Sequence, residues 1–210
     1  MQGGTAGPGL LDTYHAERRP VGLFAARQSL TGPGASFIQL ADDRPTLPAG
    51  EERPFFYMIA GYQYHSRAVV TNKAAPTDAD QVQLVDGEQL HAEPGTRIPH
   101  AWVQRGGQRV STLDLHPGGL RLFAGAGGAP WASAAKSVSA SLGVAIDVYR
   151  IGPQETIRDL DGQWAQLTGL SPEAALLVRP DDFVGWRADT LPQATADELR
   201  KVIRQILALD

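Results

Sequence analysis

The residues of this 210-residue chain whose types could do chemistry are few and scattered. Gly125-Ala-Gly-Gly128 precedes a helix pattern, and a glycine turn ahead of a helix N-terminus offers free amides and a favourable dipole to a phosphate. The dinucleotide fingerprint fails at its last position, where Pro130 stands, and Lys136-Ser137 lies too far past the glycines for a P-loop. A tight turn feeding a helix is the simpler reading. The five histidines, His15, His65, His91, His100 and His116, include no His-Glu-x-x-His and no pair four apart on a helix pattern, so no metal site is expected. His100, between Pro99 and Ala101-Trp102, suits a hydrogen bond at a domain junction instead. Ser111, Ser133, Ser137 and Ser139 sit in ordinary strand or helix patterns, not on the strained elbow a hydrolase needs. No catalytic and no cofactor-binding residue is assigned.

Two further groups carry alternatives. Phe56, Tyr57, Tyr62 and Tyr64 could line an apolar pocket for an aromatic ligand, with the hydroxyls orienting it. Tyr57, Tyr62 and Tyr64 are therefore the substrate-pocket candidates, although aromatics alternating along a strand also make plain core. Glu17-Arg18-Arg19-Pro20, at a helix break, could pair charges across an interface or form a solvated face. Glu17, Arg18, Arg19, His100 and Trp102 are the domain-junction candidates.

The elements that must position these residues fall into two textures, with a boundary between about residues 90 and 100, and the domains are taken as 1–95 and 96–210. In the first, Leu10, Leu11, Tyr14 and Arg18 share a helix face that Pro20 interrupts, and Val21, Phe24, Ala25 and Gln28 resume the period. That predicts two short helices or one kinked helix, ended by Thr31-Gly-Pro-Gly34. Residues 41–54 hold Pro45, Pro48, Gly50 and Pro54 among charges and read as a loop. Phe55 to Val70 is aromatic and β-branched and reads as one or two strands, and 71–97 as polar turns.

The second texture is regular. Trp102-Val103 and Ser111 to Leu115 predict a hairpin around Arg105-Gly-Gly-Gln108, followed by a strand over Leu120 to Ala124. A helix then runs from Pro130 to Gly143 with Trp131, Ala135, Val138 and Leu142 as its buried stripe. Val144 to Ile151 is a strand and Gln163 to Thr168 a short helix. Ala174 to Val178 and Phe183 to Ala188 form an antiparallel pair turned at Pro180-Asp-Asp182. In the last helix Thr195 and Glu198 suggest a capping box, and Leu199, Val202, Ile203, Ile206 and Leu207 share a face. The order strand, helix, strand, helix, strand, strand, helix is that of a thioredoxin-like α/β layer.

Composition sets the outer limits. Hydrophobic content of 42% with 20% charge is that of a soluble globular protein, and Gly 23 with Pro 15 predicts many turns. A net charge of −4, a pI near 5.7 and no basic run argue against nucleic acid or an anionic membrane as partner. With Cys 0, disulfides, thiolate metal sites and dithiol redox chemistry are excluded, so the layer lacks the Cys-x-x-Cys pair of a redox thioredoxin. No apolar run approaches a membrane span and no signal peptide opens the sequence, which predicts a cytoplasmic protein.

Four segments carry a family resemblance. Leu10-Leu-Asp-Thr-Tyr-His-Ala-Glu-Arg-Arg-Pro-Val-Gly22 resembles the helix closing the substrate domain of FAD-dependent aromatic hydroxylases, the phenol and 2,4-dichlorophenol monooxygenase group. Pro94-Gly-Thr-Arg-Ile-Pro-His-Ala-Trp102, Ser111-Thr-Leu-Asp-Leu115 and Leu177-Val-Arg-Pro-Asp-Asp-Phe-Val-Gly-Trp-Arg187 resemble the same enzymes' C-terminal domain. The fold this implies is α/β: a thioredoxin-like C-terminal domain preceded by a helix-plus-strand remnant of the substrate domain. Such enzymes begin with a glycine-fingerprint βαβ unit that holds FAD, and they use NAD(P)H. Nothing here resembles that unit. The resemblance therefore implies the C-terminal portion of a phenol-type hydroxylase, structural or interface-forming and not catalytic alone. FAD and NAD(P)H belong to the family, with neither expected on this chain, and the implied partner is a flavin-bearing chain or a second copy. The alternative is a stand-alone thioredoxin-like binding or dimerisation module without catalysis.

Overall fold

In the computed structural model, which describes residues 6–31, 53–78, 80–87, 91–115 and 118–209, the chain opens on one helix, α1 (Leu10–Thr31). Pro20 lies inside it, so the two-helix alternative does not hold. The buried positions are Thr13, Glu17, Pro20, Val21 and Gln28, one face at helical spacing. The expected face is kept at Val21 and Gln28, while at its start Leu11 and Tyr14 are 62% and 65% exposed. Polar residues can face inward because each has a partner. Thr13 donates to the Leu10 carbonyl, Gln28 accepts from the Arg53 amide, and Glu17 meets an arginine described below. Most of the expected loop, residues 41–52, and the Gly32-Pro33-Gly34 stop lie outside the described residues.

The strands expected over Phe55 to Val70 shrink to one. A single helical turn, α2 (Phe56–Ile59), is followed by β1 (Tyr62–Gln63), which pairs antiparallel with β2 (Gln83–Leu84) from the stretch read as turns. The amides of Tyr57, Met58, Ala60 and Gly61 bond back to the carbonyls of Pro54, Phe55 and Phe56. These four amides are satisfied locally, and further on the Tyr64 and Val70 amides go to the carbonyls of Gly95 and Gly185 and not to a longer β1 ladder.

Beyond residue 100 the expected elements are present. β3 (Trp102–Arg105) and β4 (Gln108–Ser111) form the hairpin, and Gly106-Gly107 supplies the positive φ values of 57° and 83° that a tight two-residue turn needs. Thr112–Asp114 is a 3-10 turn and not strand, because the Ser111 hydroxyl accepts from the Leu113 amide and the Asp114 carboxylate from the Ser111 amide. Next come β5 (Leu120–Ala124), α3 (Ala129–Leu142) and β6 (Ile146–Arg150). The short β7 (Ile157–Arg158), absent from the sequence reading, pairs with β3. α4 (Gln163–Thr168), β8 (Ala175–Val178), β9 (Val184–Ala188) and α5 (Thr195–Ile206) complete the chain. The capping box of α5 is not formed: the helix starts one residue earlier than a Thr195 cap requires, on Ala194, and the Thr195 hydroxyl donates to the Pro192 carbonyl.

The main sheet runs β6-β5-β8-β9, with β5 and β6 parallel and the other pairs antiparallel. Period two along β5 sorts its side chains. Leu120, Leu122 and Ala124 join Trp131 and Val138 of α3 and Leu199, Val202, Ile203 and Ile206 of α5 in one core. Phe123 joins Val103, Ile157, Trp164, Leu176 and Val184 in the other. The fold is thus mixed α/β, its central sheet covered on both faces. Among the described residues no helix is long and apolar enough to cross a membrane.

Candidate functional site

A third core of Val21, Tyr62, Tyr64, Val69 and Phe183 joins α1 and β1 to the β8–β9 turn. At its edge Glu17 meets Arg179, 162 residues away in sequence. Nη1 donates to Oε1 at 2.5 Å and Nη2 to Oε2 at 2.7 Å, the fork-on-fork pairing suited to a guanidinium and a carboxylate. Both side chains are buried, 9% exposed for Arg179 and 5% for Glu17. Arg179 also donates from Nε and Nη2 to Asp181 and from Nη1 to the Ala68 carbonyl, while Ser66 donates its hydroxyl to Glu17 at 2.6 Å. Burial pulls the Arg179 guanidinium down, but hydrogen bonds and charge from Glu17 and Asp181 outweigh it, and the net shift is upward.

The next turn residue repeats the theme. Asp182, at a φ of 68°, accepts from Nη2 of Arg121 at 2.5 Å and from Arg97 at 3.4 Å. Arg121 is fully buried in the middle of β5 and donates also to the carbonyls of Leu115 and Arg179. Sequence reasoning took Pro180-Asp-Asp182 only as a turn and missed Arg121, Arg179, Asp181, Asp182 and Ser66. One signal was available. A charge between Leu120 and Leu122, in a strand apolar on both sides, requires a buried counter-ion.

Of the substrate-pocket candidates, Tyr62 and Tyr64 stack on Phe183, with ring centroids 5.7 and 4.2 Å away. Burial first, and neighbouring Tyr62 second, push the Tyr64 phenol up, so its hydroxyl stays protonated. Tyr64 borders a cavity of about 170 Å³ shared with Glu17, Val21, His65, Asp78 and Val82, small beside the roughly 300–1,000 Å³ of ordinary ligand pockets. Tyr57 stands apart on α2, edge-on to Phe56, and is not brought to that cavity.

Of the junction candidates, Glu17 makes the contact just described. Arg19 pairs with Asp80 at 2.7 Å on the surface and Arg18 is exposed. His100 shares a hydrogen bond with Ser111 at 2.8 Å and stands edge-on to Trp102, whose ring carries the Arg109 guanidinium at 4.8 Å. These lie on the β3–β4 hairpin, away from Glu17. Among the described residues no group of histidines and carboxylates could hold a metal ion, and His116 falls outside them.

The glycine loop does not fit a pyrophosphate. The amides of Gly125, Gly127 and Gly128 donate to the carbonyls of Ala174, Pro172 and Gly125, and a Cβ on Gly125 would stand 2.5 Å from the Pro172 oxygen. Those glycines let the backbone pack against the strand before β8, and this chain's loop is no cradle for FAD. The assembled cluster holds elements together by charge and hydrogen bonds.

Known proteins resemble this chain in sequence and fold. A family model described as aromatic-ring hydroxylase, C-terminal, matches residues 91–208. Tetracenomycin A2 monooxygenase-dioxygenase of Streptomyces glaucescens is 39% identical over 205 residues, which is 98% of this chain and 35% of the relative. The 2,4-dichlorophenol 6-monooxygenase of Delftia acidovorans is 33% identical over 243 residues, 98% of this chain and 41% of the relative. Aklavinone-11 hydroxylase, solved as a ternary complex with FAD and aklavinone, matches with a TM-score of 0.80 at 33% identity, over 98% of this chain and 36% of that one. The chain therefore spans well under half the length of the relatives it matches. Matched through more than half of its residues by that family model, the chain belongs to the family of aromatic-ring hydroxylase C-terminal domains.

Proposed function

We propose that this chain acts as the C-terminal portion of an FAD- and NAD(P)H-dependent aromatic-ring hydroxylase, forming an interface for the flavin-bearing portion and catalysing nothing alone. One observation carries the reading: large apolar residues in the first turns of α1 are left uncovered by the chain's own core. Leu11 and Tyr14 are 62% and 65% exposed, although Tyr14 stands on the same helical face as Val21, seven residues on, which the chain's own core buries. Exposed apolar surface of this kind marks a docking site. The occupant we assign is the flavin-bearing portion, because the matched relatives are more than twice as long as this chain and the solved relative holds FAD. The flavin, reduced by NAD(P)H, supplies the oxygen chemistry in such a reading, and this chain supplies position.

Residues 96–210 would be a thioredoxin-like layer, supported by the strand order β6-β5-β8-β9 and its βαβ and ββα connections. With Cys 0 the layer serves as scaffold and not as a dithiol centre. Residues 1–95 would be the end of the substrate domain that bears the interface. The test is to mix this chain with the flavin-bearing portion of the Streptomyces glaucescens relative, cut before its counterpart of Leu10. Co-elution of this chain with flavin absorbance is expected, and this chain alone should elute colourless. A second reading, a self-associating module without catalysis, draws on the same exposed stripe. Stable dimers that ignore the flavin-bearing portion would favour it.

A further inference from the structure

We propose that Arg179 is a positioning residue for the α1 docking face: its paired bonds to Glu17 fix the register of α1 on the sheet, and thereby where Leu11 and Tyr14 are presented. The inference rests on the docking role just proposed. Two elements of this chain are attached in opposite ways. α5 is held by Leu199, Val202, Ile203 and Ile206, all apolar. Contact between apolar surfaces is non-directional, so it stabilises without dictating one register. On α1, by contrast, three of the buried residues, Thr13, Glu17 and Gln28, are polar, beside Pro20 and Val21.

A buried ion pair is weak evidence for net stability, and its best-attested use is to specify register. The Arg179 fork is well placed for that. It is anchored on the sheet side by Asp181 and by the backbone bonds from Arg179 N to Phe183 O and from Asp182 N to Arg179 O. It reaches the 61–70 segment through the Ala68 carbonyl, and Ser66 closes the ring by donating to Glu17. A slide of α1 by one turn would leave both a buried guanidinium and a buried carboxylate without their partners. The start of the helix has its own tie, Gly7 N to Leu207 O at 2.8 Å, and Arg19 with Asp80 and Gln28 with the Arg53 amide tie its later turns, but the Glu17 fork is the buried ion pair that joins the helix to the sheet.

The experiment is hydrogen exchange on the full chain, read separately over α1 and over β5 and β8, for wild type, Glu17→Gln, Arg179→Gln and Arg179→Lys. Amides from Glu17 to Gln28 should exchange roughly 10- to 100-fold faster in the two glutamine variants, the range expected for losing hydrogen bonds to a charged group. Those of β5 and β8 should not change. Arg179→Lys keeps the charge and loses the fork, so it should fall between. Affinity for the flavin-bearing portion should drop by a similar factor. If Arg179→Gln fails to fold, Glu17→Gln decides the question from the helix side. Unchanged α1 exchange overturns the proposal, as does equal acceleration in β5 and β8, which would mean a general stabilising role. Loosened α1 with unaltered docking overturns it too. If α1 loosens but even the wild type ignores the flavin-bearing portion, the docking reading fails while the register role stands.

Discussion

Tyr64 illustrates how one buried residue type can carry a measurable consequence without carrying catalysis. Its ring stacks at 4.2 Å on Phe183 and lies 5.7 Å from the Arg179 guanidinium, and burial raises its phenol above the ordinary value of 10.0. Unfolded, a phenol gives up its proton near 10; folded, Tyr64 keeps it well past that. Above this pH the unfolded chain holds fewer protons, so stability falls as pH rises, while below it the contribution is fully present. The alkaline limb of a melting-temperature profile should therefore be shallower in Tyr64→Phe than in wild type. Identical limbs would mean that Tyr64 ionises normally. At this scale the sequence was only half legible. Glu17 was a visible candidate, but its pairing with Arg179 and that of Arg121 with Asp182 were not, because the partners lie 162 and 61 residues apart in sequence.

Among the elements, legibility follows how the buried face is built. β5, α3, β8, β9 and α5 bury apolar side chains, so counting apolar residues at period two or 3.6 finds them. α1 buries polar Thr13, Glu17 and Gln28 beside Pro20 and Val21, so the same count finds Val21 but misses Thr13 and Glu17 and also selects exposed Leu11 and Tyr14. α2, β2 and β7 hold four, two and two residues, too few for any period, and partners elsewhere set them. α5 offers the sharpest check of the packing. Ile206 is 2% exposed between the sheet and α3, so Ile206→Ala should cost about 2 to 5 kcal/mol in lost transfer energy and cavity. Arg200 is half-buried and pairs with exposed Asp197, so Arg200→Ala should stay within about 0.5 kcal/mol. Urea midpoints of the two variants should separate clearly; coincident midpoints would mean that α5 does not cover the sheet.

For the whole molecule the decisive surface is the one that its own core leaves uncovered. Leu11 and Tyr14 are exposed in the first turns of α1, ahead of Glu17, which Arg179 holds. Isolated from the flavin-bearing portion, such a stripe should find a second copy, and light scattering should report a mass that rises with concentration. Leu11→Ser combined with Tyr14→Ser should abolish the rise. Because both residues are mostly exposed, the double variant should keep the wild-type stability to within about 0.5 kcal/mol per site. Salt separates this mechanism from charge pairing. The chain carries a net charge of −4, so added salt screens repulsion between copies and should strengthen an apolar contact, whereas association through ion pairs such as Arg19 and Asp80 would weaken. A strict monomer at high concentration and high salt would remove the exposed stripe as a docking surface.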